Sequence, residues 1–487
     1  MYKSFLCILA IVGLSYAGVW GQETTVAEEV HLDKLSADFH KSRRDSLRSM
    51  LPPNTLAVFF SNPVRNRSND VDFIYHQDPD FYYLTGYKEP HSVLLLSSVD
   101  TYLDANQTLQ ELLFVQPKNA LMEMWTGIRL GKDRAKLELE LAEVLDNTSF
   151  RDFDLDVNKY DNILVLNMRE DILDTRSEAD LYDLTRMFQE KVNQAEGPLS
   201  TIEQEVKNTV NTKTLVAFMN KLRETKEEEE LDLLRKAIVI SCIGQIEVMK
   251  AMHPNISERE IQGIHEFMYR KYDAEYQGYP SIVGAGHNGC VLHYWQNAKP
   301  KVGRDLVLMD LGAEYRGYTA DVTRTIPASG KFTEEQRIIY DIVYEAQSKG
   351  FEECIVGNSF RAPHSVAVEV INQRLSEVGI IESPTTPHNY FPHGTSHYLG
   401  LDVHDRGEYG PFKPNTVITV EPGIYIPEGS PCDKKWWGIA IRIEDDILIT
   451  EDGWENLSVS APRHADEIEE MMKQPSVFSQ LEKEDLE

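Results

Sequence analysis

Asp310, Asp321, His397, Glu421 and Glu444 are five metal-competent side chains in the C-terminal half of a 487-residue chain, most of them inside or at the end of a strand-like run. Four carboxylates and one imidazole converging from separate segments offer donors suited to two divalent cations. Two such ions side by side can hold a bridging hydroxide at neutral pH, the working part of a metal-dependent hydrolase. Asp310 closes Leu306-Val-Leu-Met-Asp310 and Asp321 lies in Thr319–Ile326, so the two stand on the arms of one hairpin turning at Gly312 to Gly317. An Asp inside a strand is disfavoured without a partner, because burying an unpaired carboxylate is costly. Taken singly, each is better explained as a turn cap or as a partner of Arg316 or Arg324. Glu421 ends Val417-Ile-Thr-Val-Glu421, and Glu444 interrupts Ile441–Ile449 on the face opposite Ile441 and Ile443, beside Arg442. His393, His397 and His404 fall within twelve residues of a chain with 14 histidines. A lone histidine is usually structural; three beside a carboxylate cluster favour function.

The elements that must position these groups read as two domains. From residue 24 to 212 short apolar runs alternate with helices. Leu56–Phe60, Ser92–Ser97, Glu111–Val115 and Asn162–Leu166 read as strands, and Lys136–Asp146 and Leu181–Gln194 as helices, giving an α/β domain. Residues 213–470 read as helix, helix, hairpin, helix, helix, strands, an α+β domain with helices on one face of a sheet. A long helix starts at Lys226, with Thr225-Lys-Glu-Glu228 as capping box and Leu231, Leu234, Ile238, Cys242, Ile246 and Met249 on one face. Ser257-Glu-Arg-Glu260 and Thr333-Glu-Glu-Gln336 cap two more. Residues 471–487 read as an acidic, mobile tail.

The apolar share of 41% and charged share of 26% are those of a globular protein, and the net charge of -30 argues against nucleic acid and anionic membranes as partners. Lys3, the apolar run Phe5–Leu14 and Ser15-Tyr16-Ala17 form a secretory signal pattern over residues 1–21, too short for stable membrane insertion, so the expected location is secreted or lumenal. The alternative is a retained anchor. In that setting Asn66, Asn106, Asn147, Asn255 and Asn456 are glycan acceptor sequons. Cys242, Cys290, Cys354 and Cys432 would remain after cleavage. Cys242 lies on an apolar helical face and Cys290 in an apolar strand, so free buried thiols compete with bridges.

With these residues in place, the chain resembles the pita-bread metallopeptidases, and within them aminopeptidase P. The resemblance runs from about Tyr75 to Glu470. It is carried by the five ligands, by Gln77-Asp-Pro-Asp-Phe-Tyr-Tyr-Leu-Thr-Gly86, by Trp125-Thr-Gly-Ile-Arg-Leu-Gly131 and by Ile282-Val-Gly-Ala-Gly-His-Asn-Gly-Cys-Val-Leu-His-Tyr294, followed by Glu314-Tyr-Arg-Gly-Tyr318. It implies a pita-bread catalytic fold and an Xaa-Pro aminopeptidase that attacks the scissile carbonyl with a metal-bridging hydroxide, which the signal pattern would make a secreted one. Asp310 then resembles the chelating carboxylate of one metal, Asp321 and Glu444 the bridging ligands, and His397 and Glu421 the rest of the second site. Glu421 would shuttle the proton, His293, His393 and His404 would bind substrate and stabilise the tetrahedral intermediate, and Arg442 would orient the carboxylates. Oxygen-rich ligation with one imidazole favours Mn²⁺, with Zn²⁺ and Co²⁺ as alternatives.

The expected partners are peptides with proline at position two. His293, His393, Tyr294 and Tyr398 could wall a proline pocket. Prolidase is the nearest rival because it shares all five ligands, and a non-catalytic binding protein on the same scaffold is a third reading. The Trp125 segment and the run Asn456-Leu-Ser-Val-Ser-Ala461 look more like aminopeptidase P. In that family the tryptophan segment can approach a neighbouring subunit's active site, which leaves room for a homo-oligomer. The competing reading is an ordinary core tryptophan.

Overall fold

Alternate residues of the first strands point to opposite faces, and both faces are apolar, so this sheet must be covered on both sides. The computed structural model describes residues 35–102, 108–166, 169–195 and 210–480. Its N-terminal sheet has six strands in the order Val144–Asp146, Thr108–Val115, Val93–Tyr102, Thr55–Phe60, Asn162–Val165, Val210–Asn211. The central pairs are antiparallel and the outer ones parallel. Leu56, Val58, Leu95 and Phe114 pack with Leu184, Met187 and Phe188 of helix Leu181–Ala195. Ala57, Phe59, Leu94 and Leu113 join the main core with helix Glu228–Ala251.

The stretch 136–146 is not one helix. The helix is Gly131–Glu138, Glu140 takes a left-handed φ of 48°, and Val144–Asp146 adds a parallel strand beside Thr108–Val115. Burial of Leu141 and Val144 at the sheet edge outweighs helical propensity there.

The second half is built from several small sheets rather than one. Ile282–Ala285, Leu306–Asp310 and Thr323–Pro327 form one; Val417–Val420, Asp445–Thr450 and Gly453–Asn456 another; Gly423–Ile426 pairs with Ile439–Arg442; and Tyr276-Gln277, Ala313–Tyr315 and Tyr318-Thr319 make a fourth. The long helix starts at Glu228, with Glu227 and Glu230 as its capping box. Thr225 instead ends helix Lys213–Glu224, and the Lys226 amine is buried on Asp405, 2.9 Å away. Ser257 and Thr333 cap helices Glu258–Lys271 and Glu334–Glu352 as read from sequence.

Two strands are shorter than their apolar runs suggest. Thr319–Ile326 breaks at Ala320–Val322, and Ile441–Ile449 breaks at Ile443-Glu444, where the chain passes from one sheet to another. Cys290 closes a 3₁₀ turn, Gly286–Cys290, not a strand. The four cysteines from Cys242 onward are free, Cys242 and Cys354 buried. The tail is shorter than expected: Met471, Met472 and Phe478 pack on the main core, Phe478 edge-on to Phe267. Asn147 is buried, its amide donating to the carbonyls of His91 and Ala179 at 2.8 and 3.0 Å, so it cannot accept a glycan in the folded chain. Asn66 and Asn255 are exposed and Asn456 half-buried. Asn106 and the expected signal segment lie outside the described residues. No helix among the described residues is long and apolar enough to cross a membrane.

Candidate active site

The ends of these sheets meet around one cavity of about 540 Å³, lined by Asp310, Asp321, His397, Glu421, Glu444, His293, His393, His404 and Arg442 among others. Asp310 faces Thr323 across the antiparallel pair, and Asp321 sits in the break just before that strand. The Glu444 amide donates to the Thr323 carbonyl at 3.1 Å and the Glu421 amide to the Thr395 carbonyl at 2.9 Å. His397 is tied to Thr419 twice: the Thr419 amide donates to the His397 carbonyl at 3.0 Å, and the His397 amide donates to the Thr419 hydroxyl at 3.2 Å. Two fully buried glutamines steady the pairs from behind. The Gln245 amide donates to Met309 and Val322, neighbours of Asp310 and Asp321; that of Gln347 donates to Val420 and Ile443, neighbours of Glu421 and Glu444.

His397 Nδ1 lies 3.0 Å from the Tyr398 carbonyl, so this nitrogen carries the proton and Nε2 presents its lone pair to the cavity. Nε2 is 3.5 Å from Asp321 Oδ2 and 3.6 Å from Glu421 Oε1. Ligand atoms of Asp321, His397 and Glu444 lie within 4.8 Å of one another. Arg442 reaches Asp310, Thr323 and the Tyr425 hydroxyl. Arg324 and Arg316 do not serve the aspartates: Arg324 pairs with Asp445 and holds the Glu444 carbonyl, and Arg316 pairs with Asp273 and Glu275.

Sequence reasoning missed Tyr279, whose hydroxyl contacts Asp310 at 2.7 Å and Asp321 at 2.5 Å, and Thr323, which donates to Glu444 at 2.6 Å. It also missed Tyr425, which accepts from Arg442 and so gives its own proton to His393 Nε2, leaving Nδ1 as the N–H of a neutral ring. Burial, with Arg442 nearby, pushes His393 down to about 4, and burial beside His397 does the same to His404, whose ring stacks on His397 at 4.1 Å. The proposed proline pocket changes in part. Tyr294 bonds Asn288 and Ala298, Tyr398 is buried on Glu224, and neither lines the cavity. Pro280, Ile282, Leu292, Trp295, Val403 and Tyr409 do. Trp125 is not a core residue: it is 81% exposed and lies outside this cavity's lining.

Whether this donor set fits cations can be judged from its charge. Burial and then Asp310 raise Asp321 well above the carboxylate range, burial and then Asp321 do the same to Glu444, and burial and then Glu444 push Glu421 up to about 8. Four clustered carboxylates with one guanidinium are over-charged without added cations. Oxygen donors with one oriented imidazole fit hard divalent ions.

The sequence pattern of metallopeptidase family M24 matches residues 232–451, and that of the aminopeptidase P N-terminal domain matches residues 40–163. The Xaa-Pro aminopeptidase of Escherichia coli is 34% identical over 457 residues, covering 91% of this chain and 99% of that protein. The chain belongs to the aminopeptidase P branch of family M24. The Haemophilus influenzae Xaa-Pro aminopeptidase is 33% identical over 462 residues, covering 91% and 99%. Aminopeptidase P from Escherichia coli with the inhibitor Pro-Leu superposes with a TM-score of 0.78 at 32% identity, covering 90% of this chain and 98% of that one. The fold is that family's N-terminal α/β domain followed by a pita-bread catalytic domain, and all five acid and histidine positions fall within the M24 match.

Proposed function

We propose that this chain is a metallo-aminopeptidase that releases the N-terminal residue from peptides with proline at position two, using two divalent ions held by Asp310, Asp321, His397, Glu421 and Glu444. The observation that carries this reading is the over-charged carboxylate cluster with His397 Nε2 turned inward, in a chain matching Xaa-Pro aminopeptidases along nearly its whole length. When bound, the ions would balance that charge, activate the attacking water and hold the substrate's amine. The protein's own groups supply the rest. Glu421, with a raised affinity for protons, accepts one from the nucleophile and returns it to the leaving nitrogen. The neutral ring of His404, together with His293, offers hydrogen bonds to the substrate carbonyls, while His393 lines the same cavity with its Nδ1–H held by the Gly394 carbonyl at 2.7 Å. Arg442 and Tyr279 hold Asp310 and Asp321 in place. Ile282, Leu292, Trp295 and Tyr409 provide apolar walls for a ring whose amide nitrogen has no hydrogen.

A dipeptidase would need a cation for the nearby carboxylate. Among the described residues Arg442 is the one arginine lining the cavity, engaged by Asp310 and Tyr425, and no lysine lines it, which favours longer peptides. Manganese is the preferred ion by donor type. A secreted or lumenal setting rests on the first 21 residues, and a homo-oligomer on the exposed Leu121, Met124, Trp125 and Ile128 at helix Ala120–Thr126 and just beyond it. The deciding experiment is hydrolysis of a peptide panel varying only residue two, with and without chelator. Cleavage restricted to proline and abolished by chelation is expected; cleavage of an Xaa-Pro dipeptide but not of Xaa-Pro-Yaa would favour the prolidase reading.

A further inference from the structure

The loop that presents His404 is fastened to the N-terminal domain by buried charges. Arg223, in the last turn of helix Lys213–Glu224, donates to Asp80 at 2.7 Å, to Asp402 at 2.9 Å and to Asp405. Lys226 adds a bond to Asp405 at 2.9 Å, and Arg406 one to Asp80 at 2.9 Å. Asp80 belongs to helix Pro79–Thr85 of the N-terminal domain, whereas Asp402 and Asp405 flank His404. Arg223, Asp80, Lys226 and Asp405 are almost wholly buried, and Asp402 is half-exposed. The loop is tight: the Asp405 amide donates to the Tyr398 carbonyl at 2.9 Å, and a Cβ on Gly400 would fall 2.0 Å from Asp405 Oδ2. Three cations meet three carboxylates here, and because Arg223 is shared by Asp80, Asp402 and Asp405, weakening one bond unbalances a buried network that ties the loop to the N-terminal domain.

We infer that Asp80 and Arg223 are positioning residues for the peptidase reaction, setting through Asp402 and Asp405 the place of the His404 ring over His397. This rests on the proposed function, and it makes the N-terminal domain part of the catalytic apparatus. A network of this kind could instead only hold the fold together. The two roles differ in one respect: a group acting through His404 matters to turnover only while His404 is there.

The test is a double-mutant cycle in the manganese-loaded full chain, with Asp80→Asn and Asp402→Asn each made alone and with His404→Gln. Asp402→Asn alters a half-exposed group and serves if Asp80→Asn fails to fold. In the otherwise unsubstituted protein each is expected to lower kcat on an Xaa-Pro-Yaa peptide on the order of 10- to 100-fold. Bound metal should be unchanged. In the His404→Gln background each should add little. Amide exchange over residues 399–407, read by mass spectrometry without substrate, should speed up in both. An equal loss in both backgrounds, or unchanged exchange in this loop, overturns the inference and leaves the function standing. If the unsubstituted loaded protein cleaves no Xaa-Pro peptide, the proposed function falls and the catalytic part of the inference with it, while the exchange result still decides whether the loop is held.

Discussion

The Tyr279 hydroxyl touches Asp310 and Asp321 together without bringing a charge of its own. Tyr279→Phe should leave the fold intact and weaken metal affinity by about 10- to 100-fold, as losses of groups that orient ligands do; calorimetric titration with Mn²⁺ would show it. Asp310→Ala or Glu444→Ala removes a ligand outright and should abolish both tight metal retention, by elemental analysis, and hydrolysis. His265 tells a different story. It is fully buried beside Gly244 and Tyr269, neither ring nitrogen has a hydrogen-bond partner, and burial alone pushes it down to about 3. The unfolded chain therefore binds this proton first as pH falls. The stabilisation by neutral His265 is complete above about 6.5 and is lost between there and about 3, with a slope approaching 1.4 kcal/mol per pH unit. Denaturant titrations should show that slope, and His265→Leu should flatten it.

At the scale of elements, each metal-facing pair depends on a helix it does not belong to. Gln347, on helix Glu334–Glu352, donates to Val420, Ile443 and Asp445. Gln347→Leu leaves buried acceptors unpaired and should cost about 1–3 kcal/mol by denaturant unfolding, with looser metal binding. None of this was legible in the sequence, because a glutamine on an apolar helix face looks like any surface residue until its acceptors are known. That the five acid and histidine positions share one cavity was legible in part: Asp310 and Glu421 end apolar runs where a carboxylate calls for a partner, and the resemblance to aminopeptidase P joined the five into one set. The strand breaks around Asp321 and Glu444 were not, because Ile443 and Val322 continue the apolar pattern through the kink. Lys136–Asp146 was misread for a related reason: Leu137, Leu141 and Val144 fall on one helix face by spacing until the neighbouring strand claims Val144. Tyr398 was misplaced because burial against Glu224, 174 residues away, has no local signal.

For the whole molecule, the metal-free chain should have a stability curve set by two opposing trends. Below pH about 6.5, protonation of buried His265 destabilises it. Above pH about 4.5, the carboxylates act the other way: Asp321, Glu421 and Glu444 hold protons more tightly folded than unfolded, so their contribution is present at low pH and is lost as pH rises, through about 8 for Glu421. Loading with metal should remove the second trend and raise the melting temperature most at pH 8, whereas chelation should lower it there; differential scanning calorimetry at pH 5.5 and 8 would read both. Phe59, Leu94 and Val115 line a face of the N-terminal sheet that belongs to the same apolar cluster as Leu234, Val307 and Ile441. On the ribosome, strand Leu306–Asp310 follows Val115 by roughly 190 residues, which takes about 10–40 s to translate. Throughout that interval the nascent chain carries an apolar sheet face with only part of its eventual cover, a window in which incompletely folded chains are prone to aggregate.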